Sequence, residues 1–230
     1  MDILLNHIER GKGFPLILLH GNGEDCTYFE YQISYFYRKY RVIAIDTRGH
    51  GQSPRGVRPF RIYQFAEDLC DFMDYYSIPK AHILGFSDGG NIALSFALRY
   101  PERVEKLILN GANLFPAGVK PAVQIPVVAQ YRMAALLADK SPQAKAKEEM
   151  LGLMVNDPDI KPEELAVLRM PVLVIAGTRD MIREQHTRLL HESIPDAKLV
   201  FIKGDHFIAL KKYEAFNKVV EEFLEAADDS

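Results

Sequence analysis

Six short apolar runs recur along the chain, and each ends in small or polar residues. They lie within residues 14–21, 40–49, 80–87, 104–113, 170–180 and 197–205. Their apolar positions are continuous rather than alternating, which is typical of strands that are covered on both faces, as in parallel sheets. The pattern therefore predicts six strands of a mostly parallel sheet.

Helical patterns separate most of these runs. The clearest spans residues 61–78, where apolar side chains recur at helical spacing and acidic residues lie on the other face. Residues 90–100 predict a second helix, which Pro101 stops, and residues 183–194 and 211–227 predict two more. Because strands and helices alternate, we expect an α/β fold with a doubly wound, mostly parallel sheet flanked by helices.

One long stretch, residues 113–165, interrupts this alternation. It predicts helices, with prolines acting as breaks at positions 116, 121, 126, 142, 158 and 162. An insertion of this length exceeds what a connection between strands requires, and such insertions are usually lids or binding elements. We therefore expect a core domain formed by residues 1–112 and 166–230, a short helical cap formed by residues 113–165, and a solvated tail at 228–230.

Composition and charge disfavour several classes of function. The chain has 230 residues, 48% of them hydrophobic, which is enough to bury one large core. Its net charge of -3 and the lack of a dense Lys/Arg run disfavour nucleic acid as a partner. No signal-like N-terminus and no run of about 18 apolar residues occur, so we expect a cytoplasmic protein that does not enter membranes. Cys26 and Cys70 lack metal-ligand spacing, and we expect two free thiols and no metal.

A serine stands at the junction of a predicted strand and a predicted helix. Gly85, Ser87 and Gly89 form the pattern G-x-S-x-G. A sharp turn there would lift the Ser87 hydroxyl clear of the sheet and place it beside the positive end of a helix, where free N–H groups stabilise a developing oxyanion. The glycines would remove side chains that collide with the neighbouring strand and helix. The alternative is a serine that only caps the helix.

A nucleophilic serine needs a base and an acid that orients the base. His206 follows the last predicted strand, Asp180 follows the one before it, and the order Ser87, Asp180, His206 matches one known serine-hydrolase arrangement. Asp46 and Asp205 are rival acids. However, Asp46 is placed to accept hydrogen bonds from its own turn, and Asp205 is adjacent to the histidine. The histidines interpreted instead as strand-start or helix-surface residues are His7, His82, His186 and His191.

The segment His20-Gly21-Asn22-Gly23 follows the first predicted strand. Its glycines allow the backbone to approach a ligand closely. The N–H groups of Asn22 and of Asp88, which directly follows the serine, would then point at a carbonyl oxygen as it becomes an oxyanion. A phosphate loop is disfavoured because no third glycine or lysine follows at the required spacing.

Together these motifs resemble the α/β-hydrolase family, in the branch of small esterases, proline-iminopeptidase-like enzymes, cofactor-free haloperoxidases and C–C bond hydrolases. The motifs are HGNG, DTRGHGQS, GFSDGG, GTRD and GDHF. The resemblance extends from about residue 12 to the last helix and is weakest over residues 113–165. It implies Ser87 as nucleophile, Asp180 and His206 as its partners, and Asn22 and Asp88 as backbone oxyanion donors.

Departures from the family pattern bear on the substrate. Serine rather than aspartate at position 87 disfavours dehalogenase and epoxide-hydrolase chemistry. Asn22 replaces an aromatic residue of many relatives, and the shorter cap implies a more open pocket. The SDGG sequence resembles the biphenyl-hydrolase-like branch, some of whose members cleave amino-acid esters. Asp88 would then attract an ammonium group. The alternative, which we favour, is that Asp88 only complements the helix dipole, with its side chain turned away from the pocket.

These features predict a serine hydrolase that cleaves carboxylic esters of small to medium size through an acyl-enzyme, with a small-molecule ester as its partner and no cofactor. The alternatives are a C–C bond hydrolase or an amino-acid ester hydrolase with the same three residues, and a ligand-binding protein of the same fold with negligible turnover. Phe115, Tyr131 and Met133 either line the substrate pocket or form the cap's own core.

Overall fold

A computed structural model describes residues 1–226 and places a seven-stranded sheet at the centre of the molecule. The strands are β1 (His7–Arg10), β2 (Pro15–Leu19), β3 (Arg41–Ile45), β4 (Ala81–Phe86), β5 (Val104–Asn110), β6 (Val172–Gly177) and β7 (Lys198–Ile202). Their order is β1-β3-β2-β4-β5-β6-β7, in which β1 is antiparallel to β3 and all other neighbours are parallel. The predicted mostly parallel sheet is confirmed.

All six apolar runs form strands, and β1 is the strand that the hydrophobic pattern misses. Every residue of β4 and of β6 is buried, as expected of a parallel sheet covered on both faces. β1 lies at the sheet edge beside β3, with His7 opposite Ile45, and three of its four residues are exposed. A short exposed edge strand needs few apolar residues, so it carries no hydrophobic signal.

Helices cover both faces of the sheet. The helices are α1 (Glu30–Phe36), α2 (Ile62–Tyr75), α3 (Asp88–Arg99), α4 (Pro121–Leu137), α5 (Pro142–Asn156), α6 (Glu184–Glu192), α7 (Ile208–Lys211) and α8 (Tyr213–Glu225). Apolar side chains of α2, α3 and α6 form one core against the sheet, and those of α1, α7 and α8 form a second core on the opposite face. This arrangement is the doubly wound fold that the alternating pattern predicts.

The segment between β5 and β6 is helical, as predicted. Helices α4 and α5 pack on each other, and shorter 3-10 helices flank them. Prolines begin most of these helices, but Pro126 lies inside α4, so the prediction that it breaks the helix is wrong. A proline at this position removes the hydrogen bond to the carbonyl of Ala122, and because Ala122 is exposed, water can solvate that carbonyl.

The ends of this segment share the core of the sheet. Leu114, Leu153, Ile160 and Leu165 belong to the same apolar cluster as α2 and α3. The boundaries at residues 113 and 165 stay a prediction, and the predicted solvated tail at 228–230 lies outside the described residues. Among residues 1–226, no helix combines the length and apolar character that crossing a membrane requires.

Candidate active site

Ser87 occupies the turn between β4 and α3. Its backbone has φ 52° and ψ -120°, a left-handed conformation that costs a residue with a side chain about 1–2 kcal/mol. Within the described residues, its side chain makes no capping hydrogen bond to α3. The structure therefore does not support the alternative of a serine that only caps the helix, and the strain points to a constraint on where the hydroxyl must lie.

Two glycines permit this turn, as the sequence predicts. A methyl group on Gly85 would collide with the carbonyl of Gly89, and a methyl group on Gly89 would collide with the carbonyl of Leu19 in β2. The Ser87 N–H donates to the Asn110 carbonyl of β5 over 2.8 Å. Strand, turn and helix are thus held together so closely that only glycine fits on either side of the serine.

The structure brings His206 and Asp180 to Ser87. The distance from His206 Nε2 to Ser87 Oγ is 3.0 Å, and that from His206 Nδ1 to Asp180 Oδ1 is 2.6 Å. Both partner side chains are about 95% buried. Gly111, with φ 63°, leaves room for the imidazole, because a methyl group there would lie 2.6 Å from His206 Cε1. A hydroxyl, an imidazole and a carboxylate are therefore joined in one chain of hydrogen bonds.

Asp180 is held in its charged form. Burial opposes the charge, but the hydrogen bond from His206 and the amide of Ile182, at 2.9 Å, keep the pKa of Asp180 below its usual range. The rival acids have other partners. Asp205 accepts from the Phe207 N–H, and Asp46 accepts from the Cys26 N–H at 2.7 Å.

The loop at Gly21 and Asn22 lies next to the serine turn. Burial lowers the pKa of His20 to about 4, so its ring is neutral; Nε2 accepts from the Thr47 N–H, and Nδ1–H donates to the Gly21 carbonyl over 2.7 Å. Among residues 1–226, the Asn22 N–H has no hydrogen-bond partner. The roles of the Asn22 and Asp88 N–H groups as oxyanion donors stay a prediction.

The side chain of Asp88 faces the site, so the expectation that it turns away from the pocket is wrong. Its carboxylate accepts from Asn22 Nδ2 at 2.9 Å and from Asn91 Nδ2 at 3.2 Å. Burial raises the pKa of Asp88 to about 6, although both hydrogen bonds oppose the shift. The carboxylate is drawn toward the pocket by Asn22, which lies 66 positions away in the sequence.

A narrow cavity adjoins Ser87 and Asp88 and has room for no more than about one water molecule. This finding contradicts the open pocket that the short cap implies, because α5 reaches down to the site. Besides Ser87 and Asp88, the cavity is lined by residues that sequence reasoning missed, namely Asn113, Val119, Met154, Asp157, Met181 and Ile182. Met181 and Ile182 directly follow Asp180, which is a signal in the sequence. The other four depend on how the segment between β5 and β6 folds.

The three cap residues expected near the substrate do not line this cavity. Phe115 packs edge-on against His186, with 4.6 Å between ring centroids. Tyr131 lines a separate cleft beside Arg61, and Met133 is 62% exposed on the outer side of the cap. None of the three is therefore placed to contact a group bound at Ser87 in this cavity.

His186 is buried rather than on the helix surface, which corrects its interpretation. Its Nε2 accepts from the Leu114 N–H over 2.9 Å, and burial lowers its pKa to about 4. Gly118 leaves the space that the ring occupies. The neutral imidazole thus anchors the first turn of the cap segment to α6.

The one cluster of possible metal ligands in the described part of the chain is Asp25, Cys26 and Asp46. Burial raises the pKa of Cys26 to about 12, so the group is a thiol rather than a thiolate. Asp46 already accepts from three donors, including the Gln52 N–H. The Asp46 carboxylate therefore holds the surrounding loops together through hydrogen bonds. The predicted free thiols are confirmed for Cys26 and Cys70.

Comparisons with known proteins agree with this geometry. A family model for the alpha/beta hydrolase fold matches residues 15–151. The 3-oxoadipate enol-lactonase 2 of Acinetobacter baylyi is 28% identical, over 96% of this chain and 92% of its own. The 2-hydroxy-6-oxononadienedioate/2-hydroxy-6-oxononatrienedioate hydrolase of Burkholderia vietnamiensis is 31% identical, over 97% of this chain and 91% of its own. The solved structure of a hydrolase from Pseudomonas aeruginosa has a TM-score of 0.80 and 26% identity, covering 96% of this chain and 94% of that chain.

Proposed function

The chain belongs to the α/β-hydrolase family, and we propose that it is a serine hydrolase that cleaves carboxylic esters of small to medium size. The observation that carries this proposal is the hydrogen-bonded chain of Ser87, His206 and Asp180, with its distances of 3.0 and 2.6 Å. It joins a nucleophile, a base and an orienting acid at one edge of the sheet.

Each member of this chain has one task. Ser87 Oγ attacks the ester carbonyl while His206 Nε2 takes its proton. Asp180 holds the imidazole by Nδ1–H and stabilises the imidazolium that forms. The N–H groups of Asn22 and Asp88 donate to the oxyanion. His206 then protonates the leaving alcohol, and water, activated by the same imidazole, releases the acid from the acyl-enzyme.

A fluorophosphonate probe read by intact mass tests this proposal. The wild type should gain a single adduct, and Ser87→Ala should gain none. Ser95→Ala is the matched control, because Ser95 lies further along the same helix α3 and outside the turn at Ser87. This variant should label normally. Ser87→Ala should also lower ester turnover by at least about 10³-fold. A folded wild type without an adduct would overturn the proposal and favour a ligand-binding protein.

The substrate need not be an open-chain ester. One relative is named an enol-lactonase and another a 2-hydroxy-6-oxononadienedioate hydrolase, so cyclic esters and a C–C bond next to a carbonyl are the alternatives within the same machinery. A series of acyl esters, lactones and β-diketone-like compounds at matched concentration separates them, since only the preferred class should combine a high kcat with a low KM.

The buried Asp88 favours one class of ester, that of amino acids. Among residues 1–226, no lysine or arginine pairs with its carboxylate, and its partners are the amides of Asn22 and Asn91. The other acid of the cavity, Asp157, is already paired with Arg61 at 2.6 Å. An ammonium group on the substrate would compensate the uncovered charge, whereas a substrate carboxylate would be repelled.

Asp88→Asn tests this second proposal, because it keeps the shape and the backbone N–H. We expect kcat/KM for an aminoacyl ester to fall about tenfold or more relative to that of its deaminated analogue. In the wild type, this preference should be present above pH 6, where Asp88 is charged, and should disappear below it. An unchanged ratio of the two substrates in Asp88→Asn would show that the carboxylate does not recognise the ammonium group.

A further inference from the structure

Glu24 closes the loop that carries the Asn22 N–H. Its main-chain N–H donates to the Gly21 carbonyl over 3.3 Å, and its side-chain Oε2 accepts from the Gly21 N–H over 3.1 Å. One residue thus fixes both polar groups of Gly21. The tight turn between them determines the direction in which the intervening Asn22 N–H points.

The same carboxylate lies in the surroundings of His206. Glu24 Oε2 and the ring of Phe86 both come within 3.1 Å of the point that a methyl group on Gly21 would occupy. The Phe86 ring in turn contacts the His206 ring, with 4.8 Å between centroids. The carboxylate of Glu24 and the imidazole of His206 therefore both lie near the ring of Phe86.

Glu24 is half-buried, and burial raises its pKa to about 7. The charged groups that act on it are His206 from the loop after β7, which lowers the pKa, and the adjacent Asp25, which raises it. Tyr28 also faces this region. Its buried hydroxyl has no hydrogen-bond partner among residues 1–226, and the charge of Glu24 helps to raise its pKa.

We infer that Glu24 is a positioning residue for the hydrolysis, which holds the oxyanion loop through Gly21 and supports the positive charge that forms on His206. This inference rests on the proposed function. Both Gly21 contacts hold the loop in place, and the direction of the Asn22 N–H matters only once the oxyanion develops. Loss of Glu24 should therefore lower kcat more than it raises KM.

Two variants separate the two parts of this role. Glu24→Ala removes the acceptor for the Gly21 N–H, and we expect kcat to fall about tenfold or more with KM within about threefold. Glu24→Gln retains an acceptor oxygen without the charge, and its kcat at pH 8 should stay within about threefold of the wild type. Glu30→Gln, an exposed acid at the start of α1, is the matched control and should change neither constant.

The pH profile of kcat/KM tests whether the charge of the Glu24 carboxylate contributes to the reaction. Because the pKa of Glu24 is raised to about 7 by burial, its carboxylate is charged above that pH and neutral below it. In Glu24→Gln the acidic limb of the profile should therefore lose the ionisation near pH 7 that belongs to Glu24. The limb of Glu30→Gln should coincide with that of the wild type.

Fluorophosphonate labelling of the same proteins distinguishes failure of this inference from failure of the proposed function. If wild type does not label, the serine mechanism itself is wrong. If wild type and both Glu24 variants label and turn over alike, with coincident pH profiles, the mechanism stands and the role of Glu24 is overturned. A loss confined to thermal stability, with kcat unchanged in Glu24→Ala, would overturn it as well.

Discussion

At the scale of single residues, the three groups that we propose as catalytic are predictable because each stands where a strand ends. Ser87, Asp180 and His206 follow β4, β6 and β7, and the carboxyl ends of parallel strands meet at one edge of the sheet. The direction of Asp88 was not predictable. It depends on Asn22, a partner that only the folded chain brings near, whereas the sequence shows just an acid in a first helical turn.

The assignment of the orienting acid gives a test at this scale. Asp180→Asn should lower kcat by about 10⁴-fold, because an amide cannot hold the imidazole in the tautomer that accepts the serine proton. Asp205→Asn is the matched control, since Asp205 pairs with Lys211 at the surface, and it should retain full activity. Steady-state ester hydrolysis by both variants at pH 8 measures the difference. Equal activities would contradict the assignment.

At the scale of elements, the sequence determines strands and helices where the hydrophobic signal is strong. The six apolar runs are all strands, and α2 buries Phe65, Leu69 and Phe72 as its spacing predicts. The signal fails for β1, which is polar and exposed, and for Pro126, which α4 accommodates on its exposed side. Both failures occur at solvent-exposed positions, where packing against a core does not constrain the type of residue.

The close contact between α3 and β2 gives a test at the scale of elements. Gly89→Ala should lower the free energy of unfolding by about 1–3 kcal/mol, because the new methyl group would overlap the Leu19 carbonyl. Gly152→Ala, inside α5, is the matched control. A methyl group there meets only ordinary contacts, the nearest being Tyr131 at 3.5 Å, so we expect a gain of about 0.5–1 kcal/mol. Urea denaturation of both variants measures these changes, and equal effects would contradict the packing argument.

At the scale of the whole molecule, ion pairs join α5 and the residue that follows it to the loop before α2. Arg55 binds Glu149 of α5 through two contacts of 2.7 and 2.8 Å, and Arg61 binds Asp157 through two of 2.6 and 2.7 Å. These partners are 94 and 96 positions apart, so no local pattern in the sequence predicts them. Since the cavity beside Ser87 has room for only about one water molecule, we expect substrate entry to require movement of α5.

Weakening the ion pair between Arg55 and Glu149 should favour large substrates. Arg55→Gln removes the pair with Glu149, and since such a partly exposed pair contributes little, the ratio of kcat/KM for a long-chain ester to that for an acetyl ester should rise about two- to fivefold. Added salt should shift the wild type in the same direction. Arg188→Gln is the matched control, because Arg188 pairs with the exposed Glu184 of its own helix α6 and not with α5. A ratio that does not move would mean that another step admits the substrate.

The hydrogen bond from Asn22 to the cap ends on a main-chain oxygen, that of Met150 in α5. Every amino acid brings that oxygen, so the acceptor survives any replacement at position 150 that keeps the helix. Side-chain replacements in α5 therefore need not break its hydrogen bond with Asn22. A change of substrate preference made through the side chains of α5 would therefore leave the position of the Asn22 loop unchanged.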